Sequence, residues 1–100
     1  MRRVMVRYRA KPDRVAENEE LVREVYAELD RVRPDGFNYA TYKLDDGVSF
    51  VHLAMHEDDD NPLARIEAFG RFQSGVGDRC DDPPVVTELE EVGSFRFPAG

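Results

Sequence analysis

Apolar and polar side chains alternate over the first ten residues of the chain. Val4, Val6 and Tyr8 fall on one side of an extended backbone. The other side carries Arg3, Met5, Arg7 and Arg9. A period of two is typical of a β-strand with one face toward a core. The sequence therefore predicts a first strand over residues 3–9.

The period changes to three and four over residues 13–33. The apolar positions in this stretch are Val15, Val22, Val25, Leu29 and Val32. Acidic residues lie in the early turns and arginines in the last turn, which favours the helix dipole. Pro34-Asp35-Gly36 then ends the pattern. We predict a first helix over these residues.

Two β-prone runs follow, FNYATYKL over residues 37–44 and VSFVHLAMH over residues 48–56. Asp45-Asp46-Gly47 separates them, and Gly47 accepts the positive φ that a tight turn requires. The pattern predicts a β-hairpin. Neither face of the second run is polar, as a solvent-exposed face would be.

A second helix and a last strand complete the pattern. Asn61-Pro62 resembles an N-cap followed by proline in the first turn. The apolar stripe that follows consists of Leu63, Ile66, Phe69, Phe72 and Val76, and it predicts a helix that ends near Cys80. Gly70 is on the apolar side, where it would permit close packing on the sheet. Residues 81–84 are predicted to stop the helix, and residues 85–97 to form a long strand bent near Gly93.

The order β-α-β-β-α-β predicts an α+β, ferredoxin-like fold with a four-stranded antiparallel sheet. We expect one domain over residues 1–100, both helices on one face of the sheet, and the first and third strands at its centre. The other face also carries apolar residues, and no further element remains to cover it. We therefore expect a homodimer with sheet packed on sheet.

Composition narrows the classes of partner. The net charge is −7, so the chain repels phosphate backbones, and we expect no nucleic-acid binding. Cys80 is the single cysteine, which excludes a disulfide framework. No apolar run approaches the roughly 18 residues of a membrane span, and the N-terminus lacks the apolar core of a signal peptide. A soluble cytoplasmic protein with no membrane partner is the expectation.

Two segments resemble a known family over nearly the whole chain. They are FNYATYKLDDGVSFVHLAM and NPLARIEAFGRFQSGVGDRCDDPPVVTELEEVGSFRF. Both are similar to the small bacterial proteins of the antibiotic-biosynthesis-monooxygenase-like superfamily. The resemblance implies a dimeric α+β barrel with a pocket between sheet and helices in each subunit. Family members that degrade haem use a tryptophan and a histidine on the second helix; this chain has no tryptophan, and residues 62–80 contain no histidine.

His52 and His56 are the only histidines. In a strand they share a face but lie about 13 Å apart, at 3.3 Å per residue, which is too far for one metal ion. We predict no metal site. His52, inside an apolar run, is the candidate general base for a phenolic substrate, or else a histidine hydrogen-bonded in the core or the dimer interface. His56 is expected to be a solvated strand end.

Asn18 is a polar residue on the apolar stripe of the first helix, three residues after Val15 and four before Val22. A buried amide needs hydrogen-bond partners, or else it lines a pocket and meets a ligand. We predict Asn18 and His52 as catalytic residues. The predicted substrate-binding residues are aromatic, although core packing explains them equally: Tyr8, Tyr39, Phe50, Phe69 and Phe72.

Three functions remain open at this stage. The first is a cofactor-free oxygenase acting on a planar aromatic small molecule, with no cofactor expected. The second is a protein that binds such a ligand without turning it over. The third is a structural dimer without a pocket, whose polar residues serve the interface. A cavity that reaches both His52 and Asn18 would favour the first two over the third.

Overall fold

A computed structural model describes residues 1–98. Its strands are β1 (Arg2–Ala10), β2 (Asn38–Lys43), β3 (Ser49–His56) and β4 (Cys80–Glu88). Its helices are α1 (Val15–Val32), α2 (Glu67–Ser74) and α3 (Val76–Arg79), with short 3-10 turns at Pro12–Arg14 and Pro62–Arg65. This is the predicted element order, with the second helix divided into three parts.

The four strands form one antiparallel sheet in the order β2-β3-β1-β4. The prediction of β1 and β3 at the centre is confirmed, as is the α+β, ferredoxin-like fold. Tyr8 pairs with Phe50, and Val6 pairs with His52, so the alternating side chains of both central strands point to the same face. The buried core lies between that face and the helices.

The hairpin between β2 and β3 is closed by the predicted turn. Gly47 has φ +77°, in the left-handed region that favours glycine. The Asp46 carboxylate accepts hydrogen bonds from the backbone N–H groups of Val48 and Ser49 and from the Ser49 hydroxyl. The Ser49 hydroxyl and these N–H groups lower the pKa of Asp46 to about 2. The turn thereby fixes the register that places His52 on the inner face.

The second helix differs from its prediction. A 3-10 turn at Pro62–Arg65 is followed by a break at Ile66, and Gly75 separates α2 from α3. Extended backbone at Ile66 (φ −100°, ψ 112°) redirects the chain. The role predicted for Gly70 is wrong: Gly70 is exposed, and a Cβ built on it would meet no atom within 4 Å.

The last strand is also displaced from its prediction. It begins at Cys80, includes the residues expected to form a stop, and ends at Glu88. Two prolines are tolerated because β4 is an edge strand with irregular pairing to β1, where not every N–H is needed. Residues 89–97 are not a strand and turn onto the outer face of the sheet.

The outer face is partly covered by this C-terminal segment. Val92 and Phe97 border surface grooves with Leu53 and Met55 of β3, and the backbone N–H of Leu89 donates to the Arg3 carbonyl at 2.8 Å. The expectation that the chain has nothing left to cover this face is therefore wrong. The segment remains strongly apolar on its outside, with Val92 fully exposed and Phe95 80% exposed.

Candidate functional site

A cavity of about 270 Å³ lies between the inner face of the sheet and α2 and α3. Val6, His52 and Ala54 form part of its sheet side, and Phe69 and Phe72 of α2 face them. Val86 of the edge strand β4 borders the cavity and is itself exposed, so the cavity reaches the protein surface there. Its walls are mostly apolar and aromatic, as is usual for small-molecule sites.

Both ring nitrogens of the buried His52 are hydrogen-bonded to hydroxyl groups. The Tyr8 hydroxyl lies 2.8 Å from Nε2, and the hydroxyls of Tyr39 and Thr41 lie 2.7 Å and 3.1 Å from Nδ1. Burial lowers the pKa of His52 to about 4 because the charged imidazolium is poorly solvated there. The ring is therefore neutral near pH 7.

The chain of donors assigns the protons on this ring. Arg79 Nε, which only donates, lies 3.2 Å from Asn18 Oδ1, so the Asn18 amide must direct its Nδ2 toward Tyr8. Asn18 Nδ2 donates to the Tyr8 oxygen at 2.8 Å. The Tyr8 hydroxyl is then free to donate to His52 Nε2, which accepts. When it does so, the proton of the neutral His52 ring resides on Nδ1; the opposite tautomer would require Tyr8 to accept from Nε2 as well and to turn its own proton into the cavity.

Arg79 is a buried cation at the head of this chain. None of the ion pairs within residues 1–98 includes Arg79. Its guanidinium donates to the Phe72 carbonyl at 2.8 Å and lies 5.1 Å from the centre of the Phe72 ring. Buried charges are normally paired with an opposite charge, so this arrangement is unusual and marks the site.

The tyrosines around His52 keep their protons. Burial raises the pKa of both Tyr8 and Tyr39 well above the usual range, and it raises the pKa of Tyr26 to about 12. The three side chains therefore act as neutral hydroxyls near pH 7. They can donate and accept hydrogen bonds at the same time, which is what a proton relay requires.

The structure brings most of the predicted site residues together. The cavity is lined by His52, Tyr8, Tyr39, Phe69 and Phe72. Asn18 is fully buried behind this wall and contacts Tyr8, so it acts on the cavity only through that hydroxyl. Phe50 stacks on Tyr8 at 5.4 Å between ring centres and borders a groove between α1 and β2 instead of the cavity.

His56 is not the solvated strand end that was expected. It is only 3% exposed, lines the cavity, and its Nδ1 lies 2.7 Å from the Glu57 carbonyl, to which it donates. It is buried because α2 and the preceding 3-10 turn extend over the end of β3, where Asn61 and Leu63 join the lining. Among residues 1–98 there is no group of three or more His, Cys, Asp or Glu that could hold a metal ion.

Sequence reasoning missed Arg79 and Thr41. Arg79 continues the spacing of Phe72 and Val76 at four and three residues, so it falls on the apolar stripe where an arginine is unexpected. That position is the signal that identifies it. Thr41 lies directly opposite His52 in the β2–β3 pairing. Counting residue pairs outward from the predicted turn at residues 45–47 would have identified it as a neighbour of His52.

Comparison with known proteins shows the same fold in several solved structures. A protein of Nitrosomonas europaea described as an antibiotic biosynthesis monooxygenase has a TM-score of 0.73 and 16% identity, covering 99% of this chain and 93% of that one. A protein of Caulobacter crescentus with the same description has a TM-score of 0.70 and 19% identity, covering 92% and 90%. A conserved protein of Methanosarcina mazei has a TM-score of 0.69 and 14% identity, covering 90% and 91%.

The comparisons confirm the resemblance at the level of the fold. No family model and no curated protein matches the chain. Identities this low establish a shared architecture, and one architecture supports many activities. The chemistry must therefore be argued from the cavity and the residues around it.

Proposed function

We propose that this protein is a cofactor-independent oxygenase that acts on a planar phenolic small molecule. The observation that supports the proposal is a neutral, buried histidine whose protons are ordered by a chain of donors that starts at Arg79. A general base needs a nitrogen lone pair that the substrate can reach. The lone pair of His52 Nε2 is already hydrogen-bonded to the Tyr8 hydroxyl. His52 would therefore act through the Tyr8 hydroxyl.

The Tyr8 oxygen has one remaining lone pair, because it accepts from Asn18 and donates to His52. A substrate hydroxyl in the cavity would donate to that lone pair. Its proton moves to Tyr8 while the proton of Tyr8 moves to His52 Nε2, which leaves a phenolate. Phenolates of this kind are electron-rich enough to react with oxygen directly: a phenol with a free ring C–H and O₂ give a quinone and H₂O, with the substrate supplying the four electrons.

The shape of the cavity supports an aromatic ligand. Phe69 and Phe72 stack on each other at 5.9 Å between ring centres, and Phe72 and His52 lie 5.5 Å apart. Such faces favour planar π-systems. The volume of about 270 Å³ lies just below the range of about 300–1,000 Å³ usual for ligand pockets, which favours a small substrate.

A second candidate is a binding protein with the same ligand and no turnover. It is favoured by the fact that both nitrogens of His52 are already hydrogen-bonded by the protein. In that case the hydroxyls of Tyr8 and Tyr39 would only orient the ligand. The two candidates share the cavity and differ in whether oxygen is consumed.

Oxygen uptake with hydroxynaphthalene and anthrone compounds separates them. We expect uptake by the wild-type protein, and a loss of roughly a hundredfold or more in His52→Ala and Tyr8→Phe, the usual range for a lost acid–base group. Tyr42→Phe is the matched control, because Tyr42 is exposed on the opposite face of the sheet. Binding of these compounds without uptake would favour the binding protein, and equal uptake by all four proteins would remove His52 and Tyr8 from the mechanism.

We also propose that the protein is a homodimer. The apolar residues exposed on the outer face of the sheet and on the C-terminal segment support this assembly, among them Val85, Val92 and Phe95. Large exposed apolar side chains that lie together often mark protein–protein interfaces. A second copy packing sheet against sheet would cover it. No helix among residues 1–98 is long and apolar enough to cross a membrane.

A further inference from the structure

We propose that Thr41 and Tyr26 form a proton exit that connects His52 to solvent near the β2 edge of the sheet, whereas the cavity opens near the β4 edge. The inference rests on the proposed role of His52 as proton acceptor. It assigns functions to two residues that do not belong to the ligand cavity.

The exit is a continuous chain of short hydrogen bonds. His52 Nδ1 lies 3.1 Å from Thr41 Oγ1, and Thr41 Oγ1 lies 2.8 Å from the Tyr26 hydroxyl. Thr41 is held there because it is the Cα partner of His52 in the β2–β3 ladder. Tyr26 reaches it from α1, where Tyr26 stacks on Tyr39 at 5.3 Å between ring centres.

The chain ends at an open groove between α1 and β2. Thr41 and Tyr26 both border this groove, and so do Glu19 and Lys43. The Lys43 ammonium lies 2.8 Å from the Glu19 carboxylate, and the Lys43 side chain is 42% exposed, so a solvent-accessible ion pair borders the groove at this point. A proton that reaches the Tyr26 hydroxyl can therefore pass to water.

The direction of every donor is consistent with outward transfer. In the tautomer with the proton on Nδ1, His52 can donate to Thr41, the Thr41 hydroxyl to Tyr26, and Tyr26 to water. When Nε2 receives a proton from Tyr8, the Nδ1 proton moves to Thr41, the Thr41 proton to Tyr26 and the Tyr26 proton to water. The sum is a substrate hydroxyl plus water giving a phenolate plus hydronium, and His52 remains neutral with its proton on Nε2.

Transfer through the ring has an energetic reason. Burial disfavours the imidazolium form of His52, so holding both protons on the ring is costly. Releasing one proton as the other arrives avoids that state. Oxygenation of a phenol to a quinone and water consumes no net proton, so the proton released at the start must return when water is formed, and the same chain carries it inward.

The Tyr39 hydroxyl, 2.7 Å from His52 Nδ1, is the competing partner. Tyr39 borders the cavity, so a proton passed to it can return to the ligand, although Tyr39 also borders a surface groove that it shares with Tyr26. Thr41 borders the groove between α1 and β2 and does not line the cavity. Removing the Thr41 hydroxyl therefore distinguishes the exit from a closed exchange between His52 and Tyr39.

The first test measures the exchange of the His52 Nδ1 proton with solvent, by ¹⁵N imidazole NMR of the full chain without ligand. We expect exchange to slow by roughly tenfold in Thr41→Val and in Tyr26→Phe, the kinetic equivalent of about one lost hydrogen bond. Thr41→Ser keeps the hydroxyl and should exchange at the wild-type rate. Tyr42→Phe controls for loss of a tyrosine hydroxyl elsewhere on the protein.

Unchanged exchange in Thr41→Val, or slowing in Thr41→Ser equal to that in Thr41→Val, would overturn the exit. If Thr41→Val fails to fold, Tyr26→Phe decides by the same comparison. The exchange measurement does not depend on turnover, so its result is independent of the proposed oxygenase.

A second test uses an anthrone as probe. We expect Thr41→Val to lower kcat and to leave the Kd of the probe unchanged. Oxygen uptake by Thr41→Val at the wild-type rate would contradict the exit even if exchange slowed.

Discussion

His52 makes the stability of the fold depend on pH. Its pKa is about 4 in the folded protein and about 6.5 in an unfolded chain, so the unfolded state binds more protons between these values. A histidine held neutral contributes stability that is complete above about pH 6.5 and is lost as the pH falls toward 4. The shift of about 2.5 pH units corresponds to about 3 kcal/mol.

We therefore expect the wild-type protein to lose more stability than His52→Gln between pH 7 and pH 4.5. Urea denaturation at both pH values, with the free energy of unfolding compared for the two proteins, measures the difference. Carboxylates such as Asp46 titrate in both proteins, so their contribution to the change in the free energy of unfolding cancels in the comparison. An equal loss in both would show that the His52 ring is not held neutral by burial.

We expect the contributions of Asn18 and Arg79 to the free energy of unfolding to be coupled. Asn18→Leu leaves the buried Arg79 Nε without its acceptor and the Tyr8 oxygen without its amide donor, and Arg79→Met leaves Asn18 Oδ1 without a donor. We expect each single change to cost about 2–4 kcal/mol and the double change to cost clearly less than the sum, because both remove the same buried pair. Denaturant unfolding of the four proteins completes the cycle, and strict additivity would contradict the coupling.

The sequence located these residues to different degrees. Alternation along the first strand placed Tyr8 on the core side, the apolar run around His52 marked it as a candidate base, and the helical stripe exposed Asn18 as an anomaly. The partners of His52 could not be derived, because hydrogen bonds across β2, β3 and α1 depend on register and on helix rotation. Phe50 shares the face of His52, yet it lies beside the groove between α1 and β2 and not in the cavity.

Among the elements, the second helix and the last strand were the least predictable. An apolar stripe continues through residues 62–80, so periodicity alone could not show that the backbone becomes extended at Ile66 and breaks again at Gly75. Pro83 and Pro84 indicated a stop, but an edge strand tolerates prolines that a central strand excludes. The central strands and α1 were predicted closely because their patterns are long and their ends carry turn residues.

Two glycines allow a matched test of backbone conformation. Gly47 has φ +77° in the hairpin turn, while Gly70 lies inside α2, and a Cβ at either position would meet no atom within 4 Å. A methyl group therefore fits equally well at both positions, and only the backbone conformation differs. We expect Gly47→Ala to destabilise the protein by roughly 1 kcal/mol and Gly70→Ala to stabilise it by roughly 0.5–1 kcal/mol. Thermal unfolding followed by circular dichroism reports both, and the same sign for the two variants would refute the argument.

At the scale of the whole molecule, a chain of 100 residues has little core with which to cover both faces of a four-stranded sheet. The helices cover one face and enclose the cavity. The C-terminal segment covers part of the other, but it brings apolar side chains of its own to the surface. The interface proposed for the dimer is thus built from the sheet together with residues 89–97, and the cavity lies on the opposite side of the sheet.

Two valines of similar exposure test this interface. Val85, 61% exposed, pairs with Arg7 on the outer face of the sheet, whereas Val32, 55% exposed, ends α1 on the helical side. At micromolar concentration we expect wild-type protein and Val32→Asp to sediment at roughly twice the chain mass of 11.5 kDa. Val85→Asp and Phe95→Asp should shift toward the monomer, because each buries a carboxylate in an apolar contact. A wild-type monomer, or dissociation caused equally by Val32→Asp, would contradict sheet-on-sheet assembly, since a copy that packs through the helices would respond to Val32 instead.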